Sequence, residues 1–178
     1  MIKIINDFFK KEDLEKVQDF ALNKAFYTPS YFAHATEKTK EFYYGSRFHL
    51  RRNKELLDFF TKQSELKFRI KIKKVNDNSG IDLRNLDHFK PHTDENTLAK
   101  INILIMISGP TAVTNGTVFY TGPVNKCDLD IHVGFRENRA ILFPSNWVHS
   151  NHASNVPNLR RYTASLFITE YEELSNVL

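Results

Sequence analysis

The feature that most limits what this chain can become is a change of hydrophobic period near residue 66. Phe68-Arg-Ile-Lys-Ile-Lys-Lys-Val75 alternates apolar and charged residues, the pattern of a half-buried strand. Asn76-Asp-Asn-Ser-Gly80 follows as a turn. Lys100–Ile107, Thr117–Thr121, Ile131–Phe135, Ala140–Phe143 and Tyr162–Thr169 read as further strands, with Gly, Pro and Asn in the gaps. Many short strands of this kind predict a sandwich or jelly roll rather than a parallel α/β sheet. Before the change the period is helical. Lys11 to Asn23 spaces Leu14, Val17, Phe20, Ala21 and Leu22 along a helix, and Lys54 to Gln63 does the same with Leu56, Leu57, Phe59 and Phe60. An aromatic, loop-like stretch, Tyr27 to Tyr44, lies between them. The expected architecture is mainly β with N-terminal helices. Residues 1–178 form one domain, with 1–65 a helical support and 66–170 the β core.

Composition removes several function classes. Charged residues are 26% and aromatic residues 13% of the 178, which suits a folded domain with a real core. The net charge of +4 is spread over scattered pairs such as Arg51-Arg52, Lys73-Lys74 and Arg160-Arg161. No basic block exists, so a nucleic-acid partner is not expected. The single cysteine, Cys127, has no partner for an internal disulfide or a Cys-based zinc site. Met1-Ile-Lys-Ile-Ile5 runs into Asn6-Asp7 without the marks of a signal peptide, and Ile103–Ile107 is too short an apolar run to cross a bilayer. A cytoplasmic setting without a membrane partner is expected.

The chemistry centres on Pro91-His92-Thr93-Asp94. At a strand end, residues i and i+2 share a side, so His92 and Asp94 can grip one metal ion together. The third ligand comes from downstream. Ala140-Ile-Leu-Phe-Pro-Ser145 is a buried strand that leads into Asn146-Trp147-Val148-His149. His152 competes with His149, but it lies three positions on and would face the other way in a strand. Two histidines and one carboxylate hold iron(II) on one face and leave the other open for co-substrate and dioxygen. An arginine nearby would bind a dicarboxylate by its far end, since its planar fork matches a carboxylate. In the last strand Arg161, Thr163, Ser165 and Phe167 share the more polar face, and Arg160, Tyr162, Ala164, Leu166 and Ile168 share the apolar one. Arg161 is therefore chosen over Arg160, with Thr163 as a hydroxyl partner.

Taken in order, His-x-Asp, Asn115-Gly-Thr-Val-Phe-Tyr120, Asn138-Arg-Ala-Ile-Leu-Phe-Pro-Ser145, His149 and Arg161-Tyr-Thr-Ala-Ser165 resemble the iron(II)/2-oxoglutarate-dependent oxygenases, in the prolyl-hydroxylase-like branch with its small bacterial and phage members. The resemblance spans roughly residues 66 to 169, plus the opening Ile4-Ile-Asn-Asp-Phe-Phe9. It implies a double-stranded β-helix (jelly-roll, cupin-like), Fe(II) on His92, Asp94 and His149, and 2-oxoglutarate on Arg161. Ascorbate would be an accessory reductant. It also implies that His149 and Arg161 lie on strands of opposite sheets, whereas the residues alone suggest one hairpin about Asn155–Asn158. Relatives often place a Tyr on the strand matching Lys100–Ile107; here Asn102, Lys100 or Tyr120 would take its part. The implied reaction is hydroxylation of a protein or peptide prolyl residue or of a small molecule, with 2-oxoglutarate and O2 consumed. A cupin-type metal enzyme that does not use 2-oxoglutarate, and a jelly-roll binding module without catalysis, share the same pattern. Trp147 reads as a mouth residue or a core aromatic, and His34 with Tyr27, Tyr31, Phe32, Phe42, Tyr43 and Tyr44 as a covering segment or as packing.

Overall fold

The computed structural model describes residues 2–31, 43–84, 90–153 and 160–174. In chain order these form β1 (Lys3–Ile5), α1 (Lys11–Asp19) with a π-helical turn at Phe20–Lys24, β2 (Thr28–Tyr31), β3 (Tyr43–His49), α2 (Lys54–Phe68), β4 (Ile70–Val75) and β5 (Gly80–Arg84). Then come β6 (Ile101–Ser108), β7 (Asn115–Thr121), β8 (Asp128–Gly134), β9 (Arg139–Pro144), β10 (His149–Ala153) and β11 (Arg161–Glu173). A large antiparallel sheet runs β1-β9-β6-β11-β5-β3-β2, with β4 paired to the far end of β11. A small antiparallel sheet runs β10-β7-β8.

Strand parity gives the large sheet two buried faces. Ile103, Ile105 and Ile107 of β6 join Ala140, Leu142, Tyr162, Ala164, Leu166 and Ile168 in one core with α1 and α2. Leu104 and Met106 face the other way and join Phe119, Val133, Phe135, Ile141 and Phe143. Burial on both sides explains why Ile101–Ile107 reads as an apolar run with little alternation. The helices close the first face. The Asn53 side chain accepts the Leu56 amide at 3.0 Å and starts α2, while Phe60 and Phe68 pack their rings against Phe9 and Phe8. Each such ring taken out of water contributes about 1.5–3 kcal/mol.

Several expected boundaries move. Helix α2 runs on to Phe68, which is buried in the helix-side core, and Arg69 ends it in the left-handed conformation at φ 55°. The alternating strand therefore begins at Ile70. Leu22 lies in the π-helical turn and is 48% exposed rather than on the apolar face. The first third is not a helical support alone, because β1, β2 and β3 extend the large sheet. Tyr27 donates its hydroxyl to the Ala21 carbonyl and packs on Tyr162, so it belongs to the helix-side core. Phe32, His34 and Phe42, the side chains of Tyr31, Tyr43 and Tyr44, and the Asn155–Asn158 turn lie outside the described residues.

Candidate metal centre

His92 and His149 meet across the gap between chain segments far apart in sequence. Each donates its backbone amide to the other's carbonyl, at 3.0 and 2.9 Å, as an isolated bridge at the start of β10. Asp94 follows two residues after His92 and is tied by its amide to the Ser145 carbonyl at 2.8 Å. The Ser145 hydroxyl in turn donates to the Ala99 carbonyl. Phe143-Pro144-Ser145 thus seats the Asp94 turn as well as leading to His149.

The side chains converge. The Asp94 carboxylate lies 3.8 Å from His92 Nε2 and 3.3 Å from His149 Nε2. Among the described residues this is a cluster of ligand atoms close enough to hold one metal ion. The far nitrogens are engaged: His92 Nδ1 is 3.2 Å from the Lys90 carbonyl and His149 Nδ1 is 2.9 Å from the Trp147 carbonyl. A carbonyl accepts only, so each Nδ1 carries a proton and each Nε2 turns toward Asp94. A metal ion at that point would meet both Nε2 atoms and the carboxylate together. Asn102 donates Nδ2 to Asp94 Oδ2 at 2.7 Å and fixes the carboxylate, as outer partners of metal ligands do. Burial would raise the Asp94 carboxyl, but the His149 bond, both histidines and Asn102 outweigh it and hold it below the usual carboxylate range. Burial and the like charge of His149, against the pull of Asp94, push His92 down to about 4. Both groups are thus in the states a divalent metal requires at neutral pH.

The cavity beside the three ligands lies between the two sheets and is lined by Arg161, Thr163, Asn102, Thr117 and Asn151, and by Arg47, Asp82 and Arg84. Arg161 is 3% exposed, while its neighbour Arg160 is exposed. One Arg161 nitrogen donates to the Gly116 carbonyl at 2.6 Å and to Asn115 Oδ1 at 3.2 Å, but Nε has no hydrogen-bond partner among the described residues. Gly116 has no room for a side chain, since a Cβ there would meet the Val133 carbonyl and the His132 ring of β8. Burial, then the nearby Arg84 charge, lower Arg161 to about 9, against Asp82, so it stays cationic at neutral pH. Thr117 Oγ1, Asn102 Oδ1 and both polar atoms of the Asn151 side chain are also buried without partners. Of the buried unpaired side-chain atoms among the described residues, most line this one cavity. Such groups mark a place for a polar occupant.

The structure brings His92, Asp94, His149, Arg161, Thr163 and Asn102 together. It does not bring Tyr120. In β10, His149 and Asn151 point inward, and Ser150 and His152 outward; Tyr120 bonds Ser150 Oγ at 2.9 Å and lines a separate surface pocket with Trp147. Thr117 and Phe119 of β7 face inward opposite Asn151 and His149, so alternation along the strand puts Tyr120 on that outer side, and it is removed from the set. Lys100 is exposed. His152 packs its ring against His132, 6.0 Å away, outside the cavity. The expected hairpin is also corrected: β10 belongs to the small sheet and β11 to the large one. Thr117, Asn151, Arg47, Asp82 and Arg84 were not anticipated. Asn151 stands at i+2 from His149, a spacing that flags it in retrospect.

No protein-family model matches the sequence, and no curated protein matches it. Solved structures do. The fold is that of iron(II)/2-oxoglutarate oxygenases. The non-heme alpha-ketoglutarate-dependent epimerase SnoN of nogalamycin biosynthesis superposes with a TM-score of 0.62 at 9% identity, over 97% of this chain and 78% of that one. A prolyl hydroxylase from Trichoplax adhaerens, bound to a hypoxia-inducible-factor peptide, matches with a TM-score of 0.61 at 13% identity over 94% and 82%. EctD from S. alaskensis, with 2-oxoglutarate and 5-hydroxyectoine, gives 0.56 at 13% identity over 98% and 73%. Among the described residues no helix is long and apolar enough to cross a membrane.

Proposed function

We propose that this chain is an iron(II)- and 2-oxoglutarate-dependent dioxygenase of the prolyl-hydroxylase-like branch, its two antiparallel sheets forming a double-stranded β-helix over residues 66–170. The observation that carries this reading is one cavity with a two-histidine, one-carboxylate set at one place and a buried arginine with an unpaired Nε at another. His92, Asp94 and His149 would hold the metal. Arg161 would take the distal carboxylate of 2-oxoglutarate, with Thr163, Thr117 and Asn151 as further hydrogen-bonding groups. Asn102 holds Asp94 in place. The bound iron, with 2-oxoglutarate and dioxygen, would supply the oxidising chemistry that turns a substrate C–H into C–OH with release of succinate and CO2. The residues present fit that group: two imidazoles that turn Nε2 inward, the His92 ring held neutral, an ionised carboxylate and a cation with no carboxylate of its own among the described partners.

The likeness to a prolyl hydroxylase bound to a peptide supports a prolyl residue as one substrate; those to the epimerase and EctD support a small molecule. Ascorbate would serve to keep the iron reduced, and a reducing cytoplasm would suit it. The test is binding of N-oxalylglycine, a non-reactive 2-oxoglutarate mimic, by calorimetry with Mn(II) in place of iron, followed by succinate release with Fe(II). Metal-dependent binding and release are expected. Metal binding without either would leave a cupin-type enzyme that does not use 2-oxoglutarate.

A further inference from the structure

The small sheet carries a second pocket, on the side away from the cavity. It measures about 310 Å³, and Tyr120, Asn146, Trp147, Val148 and Asp130 are among its walls. Those walls share backbone with the metal centre. Val148 immediately precedes His149. The Trp147 carbonyl accepts from His149 Nδ1 at 2.9 Å, and the Tyr120 amide donates to the Val148 carbonyl at 2.9 Å. The pocket therefore sits at the metal end of the fold. Both of its rings are held in place. The Tyr120 hydroxyl is bonded to Ser150 Oγ at 2.9 Å, and Trp147 packs edge-on against Phe119, 6.4 Å between centroids. Each ring is half-buried, so part of its surface stays open.

Asp130 supplies the charge. Phe119 pairs with Ile131 and Tyr120 with Leu129, so Asp130 is the extra residue of a β-bulge. A bulge re-aims the side chain it carries, and this one lines the pocket. The Asp130 carboxylate makes no ion pair or hydrogen bond among the described residues. No basic side chain lines the pocket either, in a chain of net charge +4. An exposed carboxylate alone is ordinary surface. One that shares a pocket with a tryptophan and a tyrosine offers a cation an opposite charge and aromatic surface together. Lysine and arginine lay an apolar stem along such surface and keep the charged head in water, and Val148 with the two rings provides the apolar part. An anionic group would be repelled by Asp130, and a neutral one would gain nothing from it.

Resting on the reading above, we propose that this pocket takes a cationic side chain of the primary substrate, an ammonium or a guanidinium, and so holds that substrate at the metal end of the fold. The chemistry is that of a lysine or arginine side chain, free or within a peptide.

Trp147 is the only tryptophan of the chain, so its fluorescence reports on the pocket directly. The full-length, Mn(II)-loaded chain is titrated with lysine and arginine, with their Nα-acetyl amides as peptide mimics, and with the uncharged norleucine and citrulline forms of each. A saturable change is expected with a lysine or arginine form and not with its uncharged counterpart. Tighter binding of the acetyl amides assigns a peptide, and tighter binding of the free amino acids a small molecule. Asp130→Asn and Tyr120→Leu should each weaken binding about two- to fivefold, the range for an exposed ion pair and an exposed cation–π contact. An unchanged emission maximum in the ligand-free variants shows that the surroundings of Trp147 are kept. Equal response to charged and uncharged probes, no response to any, or a response that Asp130→Asn leaves intact overturns the proposal. Succinate release by the Fe(II)-loaded chain should rise with the probes that bind, and Asp130→Asn should shift the half-maximal concentration by the same factor as the fluorescence. Binding without a rise over basal iron-dependent release overturns the assignment to the substrate. Absence of any iron-dependent release strikes the oxygenase reading itself, while the fluorescence still decides whether the pocket takes a cation.

Discussion

Strand β11 carries two faces that are equally buried and chemically unlike. Tyr162, Ala164, Leu166 and Ile168 meet the helices; Arg161, Thr163, Ser165 and Phe167 meet the cavity. On the first face the strand's side chains are apolar but for the Tyr162 hydroxyl. On the second lie three arginines and buried polar atoms without partners among the described residues. Unpaired buried polar groups cost stability, so a face that keeps them is organised for something other than folding. The contrast separates what holds the chain together from what it is for. It also predicts that substitutions on the two faces fail in different ways.

The largest effect belongs to Asp94→Ala. It removes one of three ligands and the acceptor of Asn102, so iron affinity should fall by more than about 100-fold, beyond the range for losing an outer partner, and turnover should vanish. An iron titration and the succinate assay check this. The thermal midpoint should move little, since the backbone tie from Asp94 to Ser145 remains. Retained turnover would sink the metal assignment. Leu166→Ala, on the helix side, should do the reverse. A fully buried leucine cut to alanine costs about 2–5 kcal/mol in denaturant unfolding, with N-oxalylglycine affinity per folded molecule unchanged. If Leu166→Ala weakened ligand binding at full folding, the two faces would not be independent.

The two faces were unequally legible in the sequence. Period two in Arg161–Ile168 separates them correctly, and parity sets His149 inside and His152 outside, because alternation is a property of the strand itself. Strands β1, β2, β3 and β5 carry no such signal. Gly80-Ile-Asp-Leu-Arg84 is covered on both sides and holds two charges inside, so it shows no apolar–polar alternation. Asp82, Arg84 and Arg47 look like surface charges until the partners, 35 residues apart for Arg47 and Asp82, are seen to meet. The outward side of Tyr120 follows from the same alternation, once Thr117 and Phe119 are seen to face inward.

Arg161→Met sharpens the comparison within the cavity face. It deletes a buried cation and leaves the Gly116 carbonyl without its donor, two effects that oppose each other in stability. Binding of N-oxalylglycine should fall by about 2–5 kcal/mol, roughly thirtyfold or more, while Mn(II) affinity stays near wild type. Loss of both affinities together would mean that Arg161 shapes the metal site rather than a separate carboxylate anchor.

The smallest effect falls on Asn151→Ala and Thr117→Ala. These side chains face each other across β10 and β7, the register pairing Asn151 with Thr117, and neither finds a hydrogen-bond partner among the described residues. Removing a group that makes no hydrogen bond cannot remove that bond's stability, so the unfolding free energy should hold or rise slightly. If the groups bond the co-substrate, each loss should weaken N-oxalylglycine by about 0.5–1.5 kcal/mol, roughly two- to tenfold. Stability and affinity thus move in opposite directions, which no helix-side substitution can produce. Two variants less stable than wild type with affinity intact would return Asn151 and Thr117 to the packing of the small sheet, and the cavity's polar lining would then reduce to Arg161, Thr163 and the ion cluster about Asp82.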